Sequence, residues 1–361
     1  MTPQFHSLTI RDIRRETADS ISLAFAVPLA LQDAYRFTQG QFLTLRSDID
    51  GAEVRRSYSI CSSVDDYAQR NELRIAIKAV EGGLFSNFVS KSVRPGMVLQ
   101  VMTPDGRFFT ALDDKHAKHY VAFAAGSGIT PILSLLKTTL AHEPLSRFTL
   151  VYGNRARESI LFCEELEDLK NRYLSRFMLH HVLSRAPNEI ALAHGRIDEE
   201  KCAALLQLIP ATTIDEAFVC GPADMIDTVE SALLGAGVPR KNIHAERFGV
   251  PVARSSVPAA PVAADDGSRV PLDILLDGKR FAMMLPRTGA SILDVALAAG
   301  LDLPYACKGG VCCTCRAKVI EGSVAMDKNY TLEDWEMAQG FVLTCQSHPT
   351  SDKVVVSFDE R

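Results

Sequence analysis

The chain has 361 residues, 47% of them hydrophobic and 23% charged, the proportions of an ordinary soluble globular protein. That length exceeds one small core, so two or three domains are expected. The formal net charge is -5, from 39 Lys and Arg against 44 Asp and Glu, and with no basic run or stripe this argues against nucleic acid as a partner. The first residues lack the charged segment and apolar stretch of an export signal. The most apolar window, 120–141, is interrupted by Gly126, Gly128 and Pro131 and carries Lys137; a strand, a turn and a helix explain it better than a membrane span. Nine cysteines without an export signal point to metal ligation in a reducing compartment rather than disulfides. A cytoplasmic location follows as the expectation.

Short apolar runs separated by turn residues fill the chain from Phe5 to about Pro104. Residues 21–25, 42–45, 73–77 and 97–101 read as strands. Gly40, Gly51, Gly82, Gly83 and Gly96 punctuate them. Many short strands and no long helical pattern predict a small antiparallel barrel or sandwich. Within it, Arg56 and Tyr58 would share one face of a strand, where an Arg can grip a pyrophosphate and a Tyr can pack on a flat ring system. A charged edge strand explains the same two residues. Lys78 and the turn at Gly82 and Gly83, with a helix start reaching Ser86, form a second candidate pyrophosphate contact.

Beyond about residue 118 strands and helices alternate: an apolar run at 119–125, helix 132–140, strand 148–152, helix 161–171, strand 177–183, helix 199–208, strand 217–220 and a helix from Pro222. This alternation predicts parallel βαβ units in a doubly wound sheet. Gly126, Gly128, Thr130 and Pro131 join the first strand to its helix, a place where glycines admit a diphosphate and the helix N-terminus offers free N–H groups. Such joints are also often purely structural. The second strand ends near Asn154 and Arg155, with Arg157 ahead of the first acid, Glu158. In dinucleotide folds an Arg there suits a 2′-phosphate and an acid suits a ribose hydroxyl, which favours NADPH over NADH; a solvated surface pair is the alternative. Cys220, Gly221 and Pro222 close a later strand at the edge where such sheets bind ligands, although a buried Cys is also an ordinary core residue.

Residues 249–268 are rich in Ala, Pro, Val and Ser and read as a linker. The unit from Arg269 onward, with ten basic and twelve acidic residues, is predicted to hold two strands, a helix near 292–299, a cysteine-rich loop and closing strands. Cys307, Cys312 and Cys315 stand in the spacing C-x4-C-x2-C, with Cys345 far downstream, the plant-type arrangement for a [2Fe–2S] cluster. Zinc sites more often pair two short C-x2-C units. Using Cys313 in place of Cys312 breaks the spacing, so Cys313 reads as a non-ligand. A cluster accepts single electrons and a nicotinamide gives up two, so a flavin is the expected intermediary.

Together these residues resemble the ferredoxin–NADP reductase superfamily, in the branch fused to a C-terminal plant-type ferredoxin, over the whole chain and in the same order. The motifs are Arg56-Ser57-Tyr58-Ser59, Gly83 to Ser86, Gly126 to Pro131, Cys220-Gly221-Pro222, Glu246 to Phe248 and the cysteine loop. The resemblance implies an FAD-binding β-barrel (1–112), an NADPH-binding α/β domain (113–248), a linker (249–268) and a β-grasp-like [2Fe–2S] domain (269–361). By that likeness Arg56 binds the FAD pyrophosphate, Tyr58 packs on the isoalloxazine and Ser59 bonds near N5. Cys220 and Glu246 are further candidate catalytic groups, and Phe248 closes the flavin site. The likeness also implies electron delivery to a di-iron oxygenase acting on an aromatic CoA thioester. Another aromatic-ring oxygenase or a hybrid-cluster protein is the alternative client, and a redox sensor without turnover is the alternative of another class. Cys313 departs from the pattern, where a small non-thiol residue is usual.

Overall fold

In the computed structural model, which describes residues 3–186, 190–249 and 268–360, six strands open the chain. They are β1 (Phe5–Thr17), β2 (Ser20–Ala26), β3 (Phe42–Ile49), β4 (Ala52–Ser59), β5 (Leu73–Lys78) and β6 (Val98–Met102), in the order β4-β3-β6-β1-β2-β5. Every neighbouring pair is antiparallel. A bridge between Ile60 and Ile75 joins the two edges, so the sheet closes and leaves no long free edge. Leu8, Ile10, Leu23, Phe25, Leu43, Leu45, Ile75 and Val101 fill the interior.

The sequence pattern does not single out β1, because five of its 13 residues are charged. Those charges lie outside the barrel, where Arg14 pairs with Asp12 and Glu72, while Leu8 and Ile10 point in. Two short helices, α1 (Val64–Arg70) and α2 (Leu84–Ser92), also interrupt this all-β stretch. Ser63 caps α1 by accepting from Asp66 N at 3.0 Å, and Asp66 Oδ2 accepts from Ser63 N at 2.9 Å, a reciprocal capping box.

Five parallel strands follow: β7 (His119–Ala125), β8 (Arg147–Asn154), β9 (Phe177–Leu183), β10 (Glu216–Cys220) and β11 (Ile243–Glu246), in the order β11-β10-β7-β8-β9. Helices α3 (Ile129–His142), α4 (Cys163–Arg172), α5 (Glu199–Leu208) and α6 (Ala223–Gly235) connect them. Along β7, Tyr120, Ala122 and Ala124 join one apolar cluster with α3 and α4, and Val121 and Phe123 join another with α5 and α6. Both faces are therefore covered, as a parallel sheet requires.

The barrel and this sheet belong to one compact unit, Phe5–Arg247. Helices α1 and α3 are clasped together within it. Lys137 Nζ lies 2.6 Å from Asp66 Oδ2 and 2.5 Å from Glu165 Oε1, Val64 N donates to Thr138 Oγ1 at 3.2 Å, and His142 Nε2 is 3.3 Å from Asp65 Oδ2. Burial alone would lower the Lys137 ammonium, but Glu165 and Asp66 outweigh it and hold the group above its ordinary value.

A second unit begins at Phe248, and residues 250–267 of the expected linker lie outside the described residues. It contains β12 (Arg269–Leu276), β13 (Lys279–Pro286), α7 (Ile292–Ala298), β14 (Arg316–Glu321), β15 (Val324–Met326), α8 (Asp334–Ala338), β16 (Phe341–Leu343), β17 (Ser347–Pro349) and β18 (Val354–Ser357). The sheet order is β13-β12-β18-β14-β16, with β12 and β18 parallel at its centre and the other pairs antiparallel. Ile292, Leu293 and Ala296 of α7 pack into the same core as Leu272, Ile274 and Val356. Ser291 starts that helix by accepting from Asp294 N at 3.2 Å.

Replacing Lys137 with Met keeps the stem but removes the ammonium from Glu165 and leaves Asp66 to Arg70 and the Ser63 amide, so the unfolding midpoint of the Phe5–Arg247 unit should fall by roughly 3–6 °C. A scan of parent and variant by circular dichroism measures it, and an unchanged midpoint would show that the clasp bears no load.

Candidate functional site

Strand β7 leads to β8 on one side, while its other neighbour β10 leads to β11. The order thus reverses between β7 and β10, and the crevice at the carboxyl ends of those two strands is where such sheets take ligands. Gly126, at φ +54°, turns the chain out of β7. Any Cβ on Gly128 would lie 2.1 Å from the Cys220 carbonyl oxygen, and one on Gly221 would lie 2.6 Å from Met225 Cε. The two glycine turns therefore sit against each other at closest approach. Thr130 Oγ1 donates to Ser127 O at 3.0 Å, and Pro131 occupies the first turn of α3, where its missing N–H has no partner to lose. The N-terminus of a 14-residue helix faces this joint, with the amide groups and dipole that suit a phosphate.

The barrel contributes the other half. Strand β4 carries Arg56 and Tyr58 on one face and Ser57 and Ser59 on the other. Ser59 Oγ donates to Glu246 Oε2 at 3.1 Å across 187 residues. Glu246 is the register partner of Cys220, and Cys220 that of Ala124, so Ser59, Cys220 and Glu246 meet at the carboxyl edge of the sheet. Although part of Glu246 reaches solvent, its carboxyl group is enclosed, and burial pushes it up to about 8 against a weaker opposing effect of the Ser59 hydrogen bond. Burial also keeps the Cys220 thiol well above its ordinary value. Burial therefore shifts both groups toward their neutral forms.

Tyr58 lies beside Phe85 of α2, ring centroids 6.0 Å apart, and burial raises its phenol. This contact brings the Arg56–Ser59 strand and the Gly83 turn together. Gly83 is the N-cap residue of α2. Ser86 Oγ accepts from Val80 N at 3.2 Å, so this hydroxyl closes the turn. Arg56 is exposed, and Lys78 pairs with Asp19 at 3.3 Å. Asn154 ends β8 with its side-chain nitrogen buried and unpartnered among the described residues. Arg155 is exposed beside it, and Arg157 pairs with Glu167 at 3.1 Å. Phe248 falls on the far side of the division between the units and is largely exposed.

In the second unit the cysteine loop takes left-handed turns at Lys308, Gly310 and Cys313. A Cβ on Gly310 would approach Lys328 O at 2.9 Å, and Gly309 N donates to Cys307 Sγ at 3.3 Å. The four thiols fall into two pairs. A hydrogen bond with Cys312 pulls the Cys307 thiol down, helped by backbone amides, and one with Cys315 pulls down Cys345. Among the described residues no group of three or more His, Cys, Asp or Glu is placed around a single metal ion. This pairing, with the C-x4-C-x2-C spacing, suits a two-iron cluster. Cys313 turns instead to Thr331, with Sγ 3.0 Å from Oγ1. Sequence reasoning missed Gln346, whose side-chain nitrogen lies 3.7 Å from Cys345 Sγ and donates to Lys308 O at 3.0 Å; adjacency to the last cysteine was its only signal.

Comparison with known proteins finds three domain families in this order. An oxidoreductase FAD-binding domain matches residues 7–110, an oxidoreductase NAD-binding domain residues 123–231, and a 2Fe-2S iron-sulfur cluster binding domain residues 274–350. The chain is 47% identical to one of the subunits of the 1,2-phenylacetyl-CoA epoxidase of Escherichia coli (strain K12), over 99% of this chain and 98% of that protein. It is 34% identical to the ferredoxin reductase component of 3-ketosteroid-9-alpha-monooxygenase of Rhodococcus rhodochrous, over 97% and 96%. Phthalate dioxygenase reductase shares the fold at 24% identity and a TM-score of 0.59, over 98% of both chains. No helix among the described residues is long and apolar enough to cross a membrane.

The enclosed carboxyl of Glu246 gives this unit a defined pH response. In the fold it holds its proton up to about 8, and in the unfolded chain it releases it near 4.5. Between those values the folded state binds the extra proton, so stability falls as pH rises through the window and levels off above it. Glu246→Gln should flatten that fall and exceed the parent in unfolding midpoint at about pH 9. A parent–variant difference independent of pH would contradict the assignment.

Proposed function

This chain belongs to the ferredoxin–NADP reductase superfamily, in the branch that joins FAD-binding, NAD-binding and [2Fe–2S] domains, and from that premise we propose that it is the NADPH-dependent reductase of a di-iron oxygenase acting on phenylacetyl-CoA. The observation that carries the client is the end-to-end match, 47% identical, to a component of a phenylacetyl-CoA epoxidase. A flavin takes electron pairs from a nicotinamide and passes them singly to a two-iron cluster. Within the Phe5–Arg247 unit, the Ser59–Glu246 hydrogen bond supports a meeting of the flavin and nicotinamide motifs.

Arg56 grips the FAD pyrophosphate, with the Gly83 turn and Lys78 alongside. Ser86 supports that turn from behind. Tyr58 packs on the ring system, and Ser59 presents its hydroxyl toward the ring edge while tied to Glu246. Burial shifts Glu246 toward its protonated form, so it adds little negative charge beside the rings. Cys220, equally neutral, offers a soft apolar surface for the nicotinamide. Gly126, Gly128, Thr130, Pro131, Gly221 and Pro222 line the nucleotide crevice, with Asn154 at its far end. Cys307, Cys312, Cys315 and Cys345 would hold the two-iron cluster, which would accept single electrons. In this reading the domains run 1–112 for FAD, 113–248 for NADPH and 269–361 for the cluster, joined by a linker at 249–268, in a cytoplasmic protein.

Purified chain mixed with the di-iron oxygenase components of such a complex should oxidise phenylacetyl-CoA in an NADPH-dependent manner. Rapid NADPH-driven ferricyanide reduction without any oxygenation would refute the client. The nucleotide preference is inferred from Arg155 and Arg157 just beyond β8, near the strand end where dinucleotide folds select a 2′-phosphate or a ribose hydroxyl. Changing both to Ala should lower kcat/KM for NADPH about tenfold, the scale of one or two charge-assisted hydrogen bonds, and leave NADH unaffected. Equal losses with both nucleotides would contradict it.

A further inference from the structure

We propose that Tyr152 is a positioning residue for the nicotinamide nucleotide, holding the Gly126 carbonyl out of the phosphate's path. Tyr152 lies on β8, completely buried, among Ala124, Ile160, Leu161 and Phe162. A Phe would fill that volume as well, so the hydroxyl needs its own explanation, because a buried polar group is costly unless it is bonded. Its hydroxyl donates to Gly126 O at 2.9 Å. Burial pushes the phenol upward, with smaller opposing effects from Asn154 and the Leu161 backbone, so it remains a donor at any working pH.

The neighbouring contact gives the bond its meaning. Thr130 Oγ1 donates to Ser127 O at 3.0 Å, so two hydroxyls from different elements engage consecutive carbonyls of one turn. The same carbonyls also take the Ile129 amide as the turn runs into α3. A carbonyl oxygen facing the crevice would repel a diphosphate, whereas one bonded on the protein side leaves amide groups to meet it. Gly126 is in the left-handed region at φ +54° and no heavy atom lies within 4 Å of where a Cβ would be. Side-chain packing therefore does not confine this residue, and its carbonyl is held from two sides, by the Ile129 amide within the turn and by the phenol from β8.

This inference rests on the Gly126 turn being the nucleotide site, and the test separates the two. In the full-length chain, with flavin and cluster content checked by absorbance, Tyr152→Phe is titrated with NADP+ by calorimetry and assayed with NADPH and NADH. The dissociation constant for NADP+ and KM for both nucleotides should rise together, about five- to tenfold, or ~1–1.4 kcal/mol. At saturating nucleotide kcat should stay within about twofold, since the bond acts alike in ground and transition states. Thr130→Val should act in the same direction through Ser127. Unchanged NADP+ affinity in Tyr152→Phe, whether or not its melting point falls, would reduce Tyr152 to a packing residue and overturn the proposal. Failure of the unaltered chain to bind NADP+ would instead remove the nucleotide site itself, and the proposal with it.

Discussion

The hydrogen bond from Ser59 to Glu246 ties the last residue of a barrel strand to the last residue of a sheet strand 187 positions later. The organisation of the reductase unit depends on this junction. A flavin motif on β4 and a nucleotide crevice between β7 and β10 have no chemical relation unless their ends converge. Enclosing a carboxyl group at that point is costly, and the fold meets the cost by leaving the group protonated rather than by supplying a cation. In the proposed function this weakly charged spot lies beside the place where the flavin and nicotinamide would meet. On another flank, the Lys137 clasp uses the opposite solution, a partly buried cation shared by two carboxylates. One joint is electrically silent and the other is strongly paired. Only the silent one lies where chemistry is expected.

The second unit solves a different problem by dividing its ligands. Four thiols around one ion would need one tight tetrahedral cage. Here three of them lie on a loop that reverses at three left-handed residues, and Cys345 arrives from the segment after β16, with Cys312 acting most strongly on Cys307 and Cys315 on Cys345. Cys313 is one of those three. Its backbone conformation turns its side chain to Thr331, which explains how five cysteines in one unit yield four candidate ligands. Spacing excludes Cys313 on arithmetic alone, and the φ angle supplies the physical reason.

Elements whose apolar period is long enough to repeat were legible in the sequence. The buried runs that form β7, β8 and β10, and the helices between them, sit within a few residues of their expected bounds. Elements stabilised by partners remote in the chain were not. β1 hides its inward Leu8 and Ile10 among charges that are neutralised by Glu72 and Asp12. α1 is too short to show a period, and its Ser63 and Asp66 capping pair came to light only in the structure. α8, Asp334–Ala338, is a single turn or so and left no signal. Site residues follow the same division. Cysteine spacing and glycine turns are local and were visible. The meeting of Ser59 with Glu246, the proximity of Tyr58 to Phe85, and the Tyr152 bond to Gly126 are created only by the tertiary fold. Ser86, which reads as a ligand contact in the sequence, braces the turn at Val80 in the fold, a role that local sequence cannot distinguish from the first.

An anaerobic reductive titration of the purified chain tests most directly whether one polypeptide converts electron pairs into single electrons. The chain should take up about three electrons, two for a flavin and one for a two-iron cluster, with both chromophores bleached by NADPH alone. Uptake of only two electrons, or a cluster that dithionite reduces and NADPH does not, would contradict it.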